Sequence, residues 1–573
     1  MKEKNNFLGF LIRLFKPYLI FIILGIIGGL IESGALAALA FILKNVVDDV
    51  FVNKDFESLK WIVGVIIVIA AAKQIGFFLK EYLYPYAIYK VVQNLREKIY
   101  LNLLNAEPSF FIKHPHGDLV SRATNDLEAF VNVMKLLGVN LVAQIFTVIA
   151  IIIVLIYRDW KLFTIFIIAV PFLVIALNYF GEKRKKYSQM LQEGKGEYTQ
   201  MLNQTITGIE VVKLFNKDIF LRIFRKLNQE LFRREKKNVF YETFYLSSVE
   251  IIAYLATAGI IYYGGYRIIH GEITAGDFFS FLGGVLILVN SLQILQRGAV
   301  QLKALSPIVE RIQFLLNIPQ EKDEGIEFKG LKDRILYDNV RLKLGENEIL
   351  KGINLEIKRG QKVGIVGLTG SGKSTIVKIL PAIIKTYEGN VFLDEHELRE
   401  YSISSLRRKI GMLSQDVFIF NDTLRNNLLI AKPDATDEEL IEALKKAKAD
   451  FVFEKLEKGL DTPLGEKGSR LSGGERQRIS IARLFLKKPD IVIVDEATSA
   501  LDVETEEFIT EQLNKEFKNN TMLMVTHRLK TLEIVDKIVV VENGKIVEEG
   551  TEEELIAKKG IFYKFFVLSG QET

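Results

Sequence analysis

The feature that most constrains this chain is the length and spacing of its apolar runs. Crossing a bilayer takes roughly 20 mostly apolar residues. Six stretches meet that length, at 18–43, 59–82, 136–157, 162–180, 247–269 and 278–295. In hydrocarbon every backbone N–H and C=O must be paired within the segment, so such runs have to be helices. After about residue 325 the pattern changes to short strands alternating with polar helices. A mean hydropathy of +0.19 beside 25% charged residues has the same origin, an apolar half joined to an ordinary soluble half. At 573 residues the chain is long enough for two or more domains.

Charge sets the orientation. The N-terminal tail carries Lys2, Lys4, Arg13 and Lys16, and the polar segments after the second and fourth spans are also basic, as in "EKRKK" (182–186) and "RREKK" (233–237). The positive-inside tendency makes all of these cytoplasmic, and an even number of spans puts the soluble half on the same side. The basic-then-apolar start is too long for a signal peptide, so it is expected to be a retained membrane helix. The net charge of +5 is small beside 75 Lys and Arg and argues for no nucleic-acid partner. Cysteine is absent, which excludes disulfides and thiolate metal sites.

The two long cytoplasmic segments keep helical apolar spacing, as in "VVQNLREKIYLNLLN" and "GIEVVKLFNKDIFLRIFRKL". Spans two to five are therefore expected to run on past the membrane and end in short elbows, natural docking points for the soluble half. Inside the spans sit Glu32, Lys73, Gln144, Glu250, Gln293 and Arg297. Ionisable groups in hydrocarbon are costly and mark a cavity or a partner. Glu32, Lys73, Glu250 and Arg297 are thus candidates for a substrate path, with helix–helix pairing or snorkelling as the alternative.

The soluble half carries phosphate chemistry. In "QKVGIVGLTGSGKSTIVKIL" a strand-like run precedes the pattern G-x-x-x-x-G-K-[ST], and a helix-like run follows it. Gly367, Leu368, Thr369, Gly370, Ser371, Gly372, Lys373, Ser374 and Thr375 would wrap nucleotide phosphates. Lys373 would reach the β- and γ-phosphates, and Ser374 would ligate Mg²⁺. A second apolar run, "IVIVDE", ends in Asp495, a candidate Mg²⁺ holder, and Glu496, which would polarise the attacking water. Gln415 and His527 each follow a further short strand, where α/β sheets place their ligands. Gln415 would also serve Mg²⁺, and His527 the γ-phosphate.

The phosphate loop, Gln415, "LSGGE", "IVIVDE", "SALD" and His527 occur in the order that marks the nucleotide-binding domain of ABC transporters. With six spans before that domain, the chain resembles an ABC exporter half-transporter (a type IV ABC exporter). The segments "VVDDVF" and "LQRGAVQLKALSPIVERIQFLL" look most like the bacterial lipid A exporter group, although multidrug exporters share such segments. The resemblance implies an all-α transmembrane domain of six helices at 1–318, a linker at 319–332, and an α/β ABC ATPase domain with a helical subdomain at 333–573. It implies a multi-pass protein of the bacterial inner membrane with its ATPase domain in the cytoplasm, using ATP and Mg²⁺ to export or flip a lipid or other amphipathic substrate. A multidrug or peptide exporter and an ATP-gated membrane regulator remain the alternatives.

The same resemblance gives "RLSGGERQR" a role in trans. Leu471, Ser472, Gly473, Gly474, Glu475 and Asp502 would face nucleotide held by a partner, with a second copy of the chain favoured over a different subunit. Glu475 stands where the family usually has glutamine, a neutral variant. Leu344 falls at the family's adenine-stacking aromatic, which predicts weaker base stacking, while Tyr337 falls at an earlier strand position.

Overall fold

The computed structural model describes residues 2–344, 347–455, 458–498, 501–526 and 528–568. The chain divides into two compact units, Met1–Leu101 with Leu119–Leu316, and Asn102–Asp118 with Asn317–Thr573.

The first unit is helical. It comprises α1 (Lys2–Phe15), α2 (Leu19–Asn45), α3 (Phe56–Leu104), α5 (His116–Leu136), α6 (Val139–Arg158), α7 (Trp160–Thr207), α8 (Ile209–Leu214), α9 (Lys217–Ile269) and α10 (Ala275–Leu316), while α4 (Pro108–Lys113) lies in the second unit. Among the described residues, five stretches are long and apolar enough to cross a membrane: Gly9–Val52, Phe56–Leu104, His116–Arg158, Lys217–Ile269 and Ala275–Leu316. The remaining expected span, 162–180, lies within α7. Helices α3, α7 and α9 are far longer than a bilayer requires, and α4 and α8 form the short elbows between long helices.

Small residues set the helix crossings. A Cβ on Gly28 would lie 2.7 Å from the Gly76 carbonyl oxygen, and one on Gly76 would lie 2.5 Å from that of Gly28, so α2 and α3 touch backbone to backbone. Flanking the crossing on either side, Glu32 and Lys80 form an ion pair of 2.7 Å, their side chains 15% and 6% exposed. Against α6, the Ser33 hydroxyl donates to Ala143 O (2.9 Å) and accepts from Thr147 Oγ1 (2.8 Å). At the opposite ends of the spans, Asp277 pairs with Lys44 (3.0 Å) and Arg158 (3.6 Å), and Arg267 pairs with Asp159 and Glu272.

The second unit is an α/β fold. A four-stranded sheet has the order β2-β1-β4-β5, from β1 (Arg334–Leu344), β2 (Asn347–Lys358), β4 (Glu388–Leu393) and β5 (His396–Glu397). A six-stranded sheet has the order β10-β9-β3-β8-β7-β6. Its strands are β3 (Lys362–Val366), β6 (Ile410–Leu413), β7 (Ile491–Asp495), β8 (Thr521–Val525), β9 (Lys537–Glu542) and β10 (Lys545–Gly550). All neighbours are parallel except β9 and β10. Strands β3, β7 and β8 are buried at every residue, which is why they read as unbroken apolar runs. Helix α11 (Lys373–Ile379) follows β3, and α12 (Ile403–Lys409) leads into β6. Between β6 and β7 lie α13 (Leu424–Leu429), α14 (Asp437–Lys446), α15 (Phe451–Lys455) and α16 (Gly473–Lys487), and α17 (Val503–Glu516) follows β7.

The Lys80→Met variant, which leaves the largely enclosed Glu32 carboxylate unpaired, is expected to destabilise the helical unit by about 3 kcal/mol. The double variant Lys80→Met/Glu32→Leu should recover most of that loss. Chemical unfolding of the detergent-solubilised protein compares the two.

Candidate active site

The site is built at the carboxyl ends of the buried parallel strands, where α/β sheets collect ligands. After β3 the backbone turns at Gly367 (φ +149°), where a Cβ would lie 2.1 Å from the Val541 carbonyl oxygen, so only glycine fits. Gly372 (φ +103°) caps α11, pressed against the start of β2 at Ile349 and Leu350. The loop is held from behind by Gly544, whose N–H donates to Ser371 O (3.1 Å).

The chemistry-bearing side chains gather around this turn. Lys373 is buried, and its ammonium donates to Gly367 O and Leu368 O, both at 2.9 Å. Burial lowers its pKa below the ordinary lysine value, against the pull of Glu496 and Asp495. Ser374 Oγ donates to Asp495 Oδ1 at 2.7 Å, and Lys378 Nζ lies 3.7 Å from Asp495 Oδ2. Asp495 is buried at the end of β7. Glu496, half-buried, adopts φ +51°, and its N–H donates to Val525 O (3.0 Å). A non-glycine residue held in that left-handed region costs of order 1 kcal/mol or more and is found at functional sites.

The residues fit a magnesium nucleotide. The buried Ser371 hydroxyl, in the middle of the loop, has no hydrogen-bond partner. A Cβ at Gly370 would meet nothing within 4 Å, so the loop is open on that side. The direct contact of Ser374 and Asp495 brings two hard oxygen donors to one point, as Mg²⁺ prefers. Gln415 is exposed just beyond β6, the neighbour of β7 in the sheet. His527 lies outside the described residues. Leu344 is the last residue of β1, paired with Asn347. Tyr337 is buried in the core, with its hydroxyl donating to Ile376 O (3.0 Å).

The motif "LSGGE" begins α16. Ser472 is its N-cap, its Oγ accepting from Glu475 N (3.2 Å), while Glu475 Oε2 accepts from Ser472 N (2.7 Å). This reciprocal box accepts either glutamate or glutamine at the fourth position, which accounts for Glu475. The exposed serine hydroxyl accepts one bond here and retains its own hydrogen to donate. Asp502 caps α17 through Thr505 N (2.9 Å), and that bond holds its carboxyl below the usual range.

The four candidate path residues differ in setting. Glu32 is paired with Lys80, Lys73 is half-buried, and Glu250 and Arg297 are exposed. Lys80 was not among the sequence candidates, although the signal was present. "GGLIE" and "GFFLK" put one acid and one base near a small residue on successive spans, opposite charges that can pair where the spans cross.

Hydrogen exchange at residues 472–478 tests the cap. Glu475→Ala should weaken the first turn of α16 by about 1 kcal/mol, speeding local exchange about fivefold, whereas Glu475→Gln should leave it unchanged.

Residues 22–292 match the family model described as the ABC transporter transmembrane region, and residues 350–499 match that described as ABC transporter. The ATP-dependent lipid A-core flippase of Syntrophus aciditrophicus is 34% identical, over 98% of this chain and 94% of its own length. The protein of the same name from Desulfotalea psychrophila is 34% identical over 95% and 96%. A Staphylococcus aureus protein provisionally named a multidrug export ATP-binding/permease protein is 33% identical over 96% and 97%. Fold, phosphate site and relatives agree that this chain belongs to the ABC transporter family, as an ATP-hydrolysing exporter half-transporter that joins a membrane-embedded helical region to an ABC ATPase domain.

Proposed function

We propose that the protein exports or flips a lipid or other amphipathic molecule across the bacterial inner membrane, driven by ATP. The observation that carries this reading is the convergence of Lys373, Ser374 and Asp495 under the phosphate loop of a chain whose other half is apolar helix. The names of the two flippase relatives support a lipid-like substrate, and that of the Staphylococcus relative supports a drug-like one as the second reading. Six helices within 1–318 form the membrane domain, 319–332 the linker, and 333–573 the ATPase domain, which includes a helical subdomain and lies in the cytoplasm.

In this reading the backbone N–H groups of the loop bind the phosphates and Lys373 offsets their charge. Ser374 and Asp495, with Gln415, hold Mg²⁺, which when bound neutralises phosphate charge. Glu496 polarises the attacking water, and His527 contacts the γ-phosphate. Two copies of the chain make two composite sites. The exposed Ser472 hydroxyl at a helix N-terminus, with the backbone of Gly473 and Gly474, completes the phosphate cradle of the other copy, and Leu471, Glu475 and Asp502 support that face. Closure of the paired ATPase domains around nucleotide shifts the membrane helices between inward and outward access.

Glu496→Gln should bind ATP with parental affinity and hydrolyse it about 10²–10⁴-fold more slowly, in keeping with loss of a general base. Single-turnover assays with purified protein in liposomes check this, and parental turnover would remove Glu496 from the role. Leu344→Tyr should restore base stacking worth about 1 kcal/mol, tightening ATP binding about fivefold in equilibrium titration.

A further inference from the structure

The nucleotide-contacting elements have far ends as well as near ends, and three of those far ends meet at one arginine. Arg407 lies in α12, directly before the strand that leads to Gln415. Its Nε donates to Pro381 O (3.1 Å) and its Nη2 to Ala382 O (3.2 Å), just past the end of α11, the helix that begins at Lys373. The backbone carbonyl of Arg407 accepts from Lys487 Nζ (2.7 Å), which also donates to Ile410 O (2.8 Å). Lys487 is the last residue of α16, the helix that begins with the Ser472 cap.

The remaining face of Arg407 is taken by the linker. Its guanidinium makes a two-pronged ion pair with Glu321, at 2.7 and 2.8 Å, and Lys385 approaches the same carboxylate at 3.3 Å. Burial works to raise the Glu321 pKa, and the two cations outweigh it, keeping the group below the usual glutamate value. Glu321 is also bonded to the first cytoplasmic elbow. Its N–H donates to Asn105 O (2.7 Å), Glu107 N–H donates to Pro319 O (3.1 Å), and Ala106 bridges Gln320 in antiparallel fashion. The elbow is continuous in the chain with α3 on one side and α5 on the other.

We propose that Glu321 is a positioning residue for the ATP cycle. Through Arg407 it joins the first elbow, with the linker beside it, to the far ends of the phosphate-loop helix and of the strand before Gln415. Movement of those elements on nucleotide binding is thereby passed to the elbow as a unit. Bidentate arginine–carboxylate pairs suit this use because their planar geometry fixes orientation as well as distance. The proposal rests on the nucleotide-site reading above and goes beyond it, since Glu321 and Arg407 touch no phosphate-binding atom.

The test uses the full chain in nanodiscs, on the Glu496→Gln background so that ATP is retained. Hydrogen exchange at 102–118 is compared with and without ATP, beside ATP affinity measured by equilibrium titration. With Glu321 intact the elbow should gain protection when ATP binds. Glu321→Gln should keep ATP affinity within about twofold and lose about fivefold or more of that ATP-dependent protection. Glu321→Asp, which keeps the carboxylate, should recover most of it. ATP binding without any elbow response, or an equal response in Glu321→Gln, overturns the proposal. A parallel loss of ATP affinity in Glu321→Gln also overturns it, by making the residue merely structural. If ATP does not bind when Glu321 is intact, the nucleotide-site reading fails and this proposal fails with it.

Discussion

The complete burial of three parallel strands is the constraint on which the ATPase half depends. Strands β3, β7 and β8 lie side by side with no exposed residue, so none can shift register without moving apolar side chains into water. Their carboxyl ends are fixed points. From them hang the phosphate loop after Val366, the Asp495–Glu496 pair and Thr526, and each departs from regular strand geometry within one or two residues. Gly367 turns where no side chain fits, and Glu496 is held left-handed by its bond to Val525. A rigid sheet lets such strained positions persist, because relaxing them would cost more core packing than the strain itself.

The membrane half solves a different problem, since apolar burial does not drive helix association in lipid. Contact there comes from small residues and satisfied polar groups. The Gly28–Gly76 crossing brings two antiparallel backbones together, with Lys80 beside Gly28 and Glu32 beside Gly76, and the close approach lets their side chains pair across it. The Ser33–Thr147 contact repeats the principle against α6. A charged residue within a span therefore need not line a path. Its meaning depends on whether a complementary charge lies across the same helix crossing.

This separates what was legible in the sequence from what was not. The phosphate loop, the buried strands and the long helices are local patterns, each specified by neighbouring residues, and each was readable from spacing alone. Pairings between distant segments were not. Hydropathy does not single out Lys80 over Lys73, because it weighs how apolar a stretch is and ignores which face a residue occupies. The Glu321–Arg407 pair links positions 86 residues apart in sequence, neither in a recognisable motif. The break at Gly138, with φ +59°, was likewise hidden, because a lone glycine in an apolar stretch reads as an ordinary helical residue until its backbone is seen.

The signature segment shows why a motif can be complete in sequence and incomplete in space. Ser472 and Glu475 satisfy each other's backbone N–H groups, so the start of α16 is stable without any ligand. That arrangement leaves the hydroxyl hydrogen of the exposed Ser472 free to donate, at the positive end of a 15-residue helix. Every α-helix begins with N–H groups that lack an intrahelical partner, so those alone mark no site. In the dimer proposed above, the Ser472 hydroxyl and the N–H groups beside it would supply half of an anion site whose other half is a phosphate loop of the kind this same chain carries. A symmetric pair of identical chains would meet that need, because one surface then supplies both halves of each site.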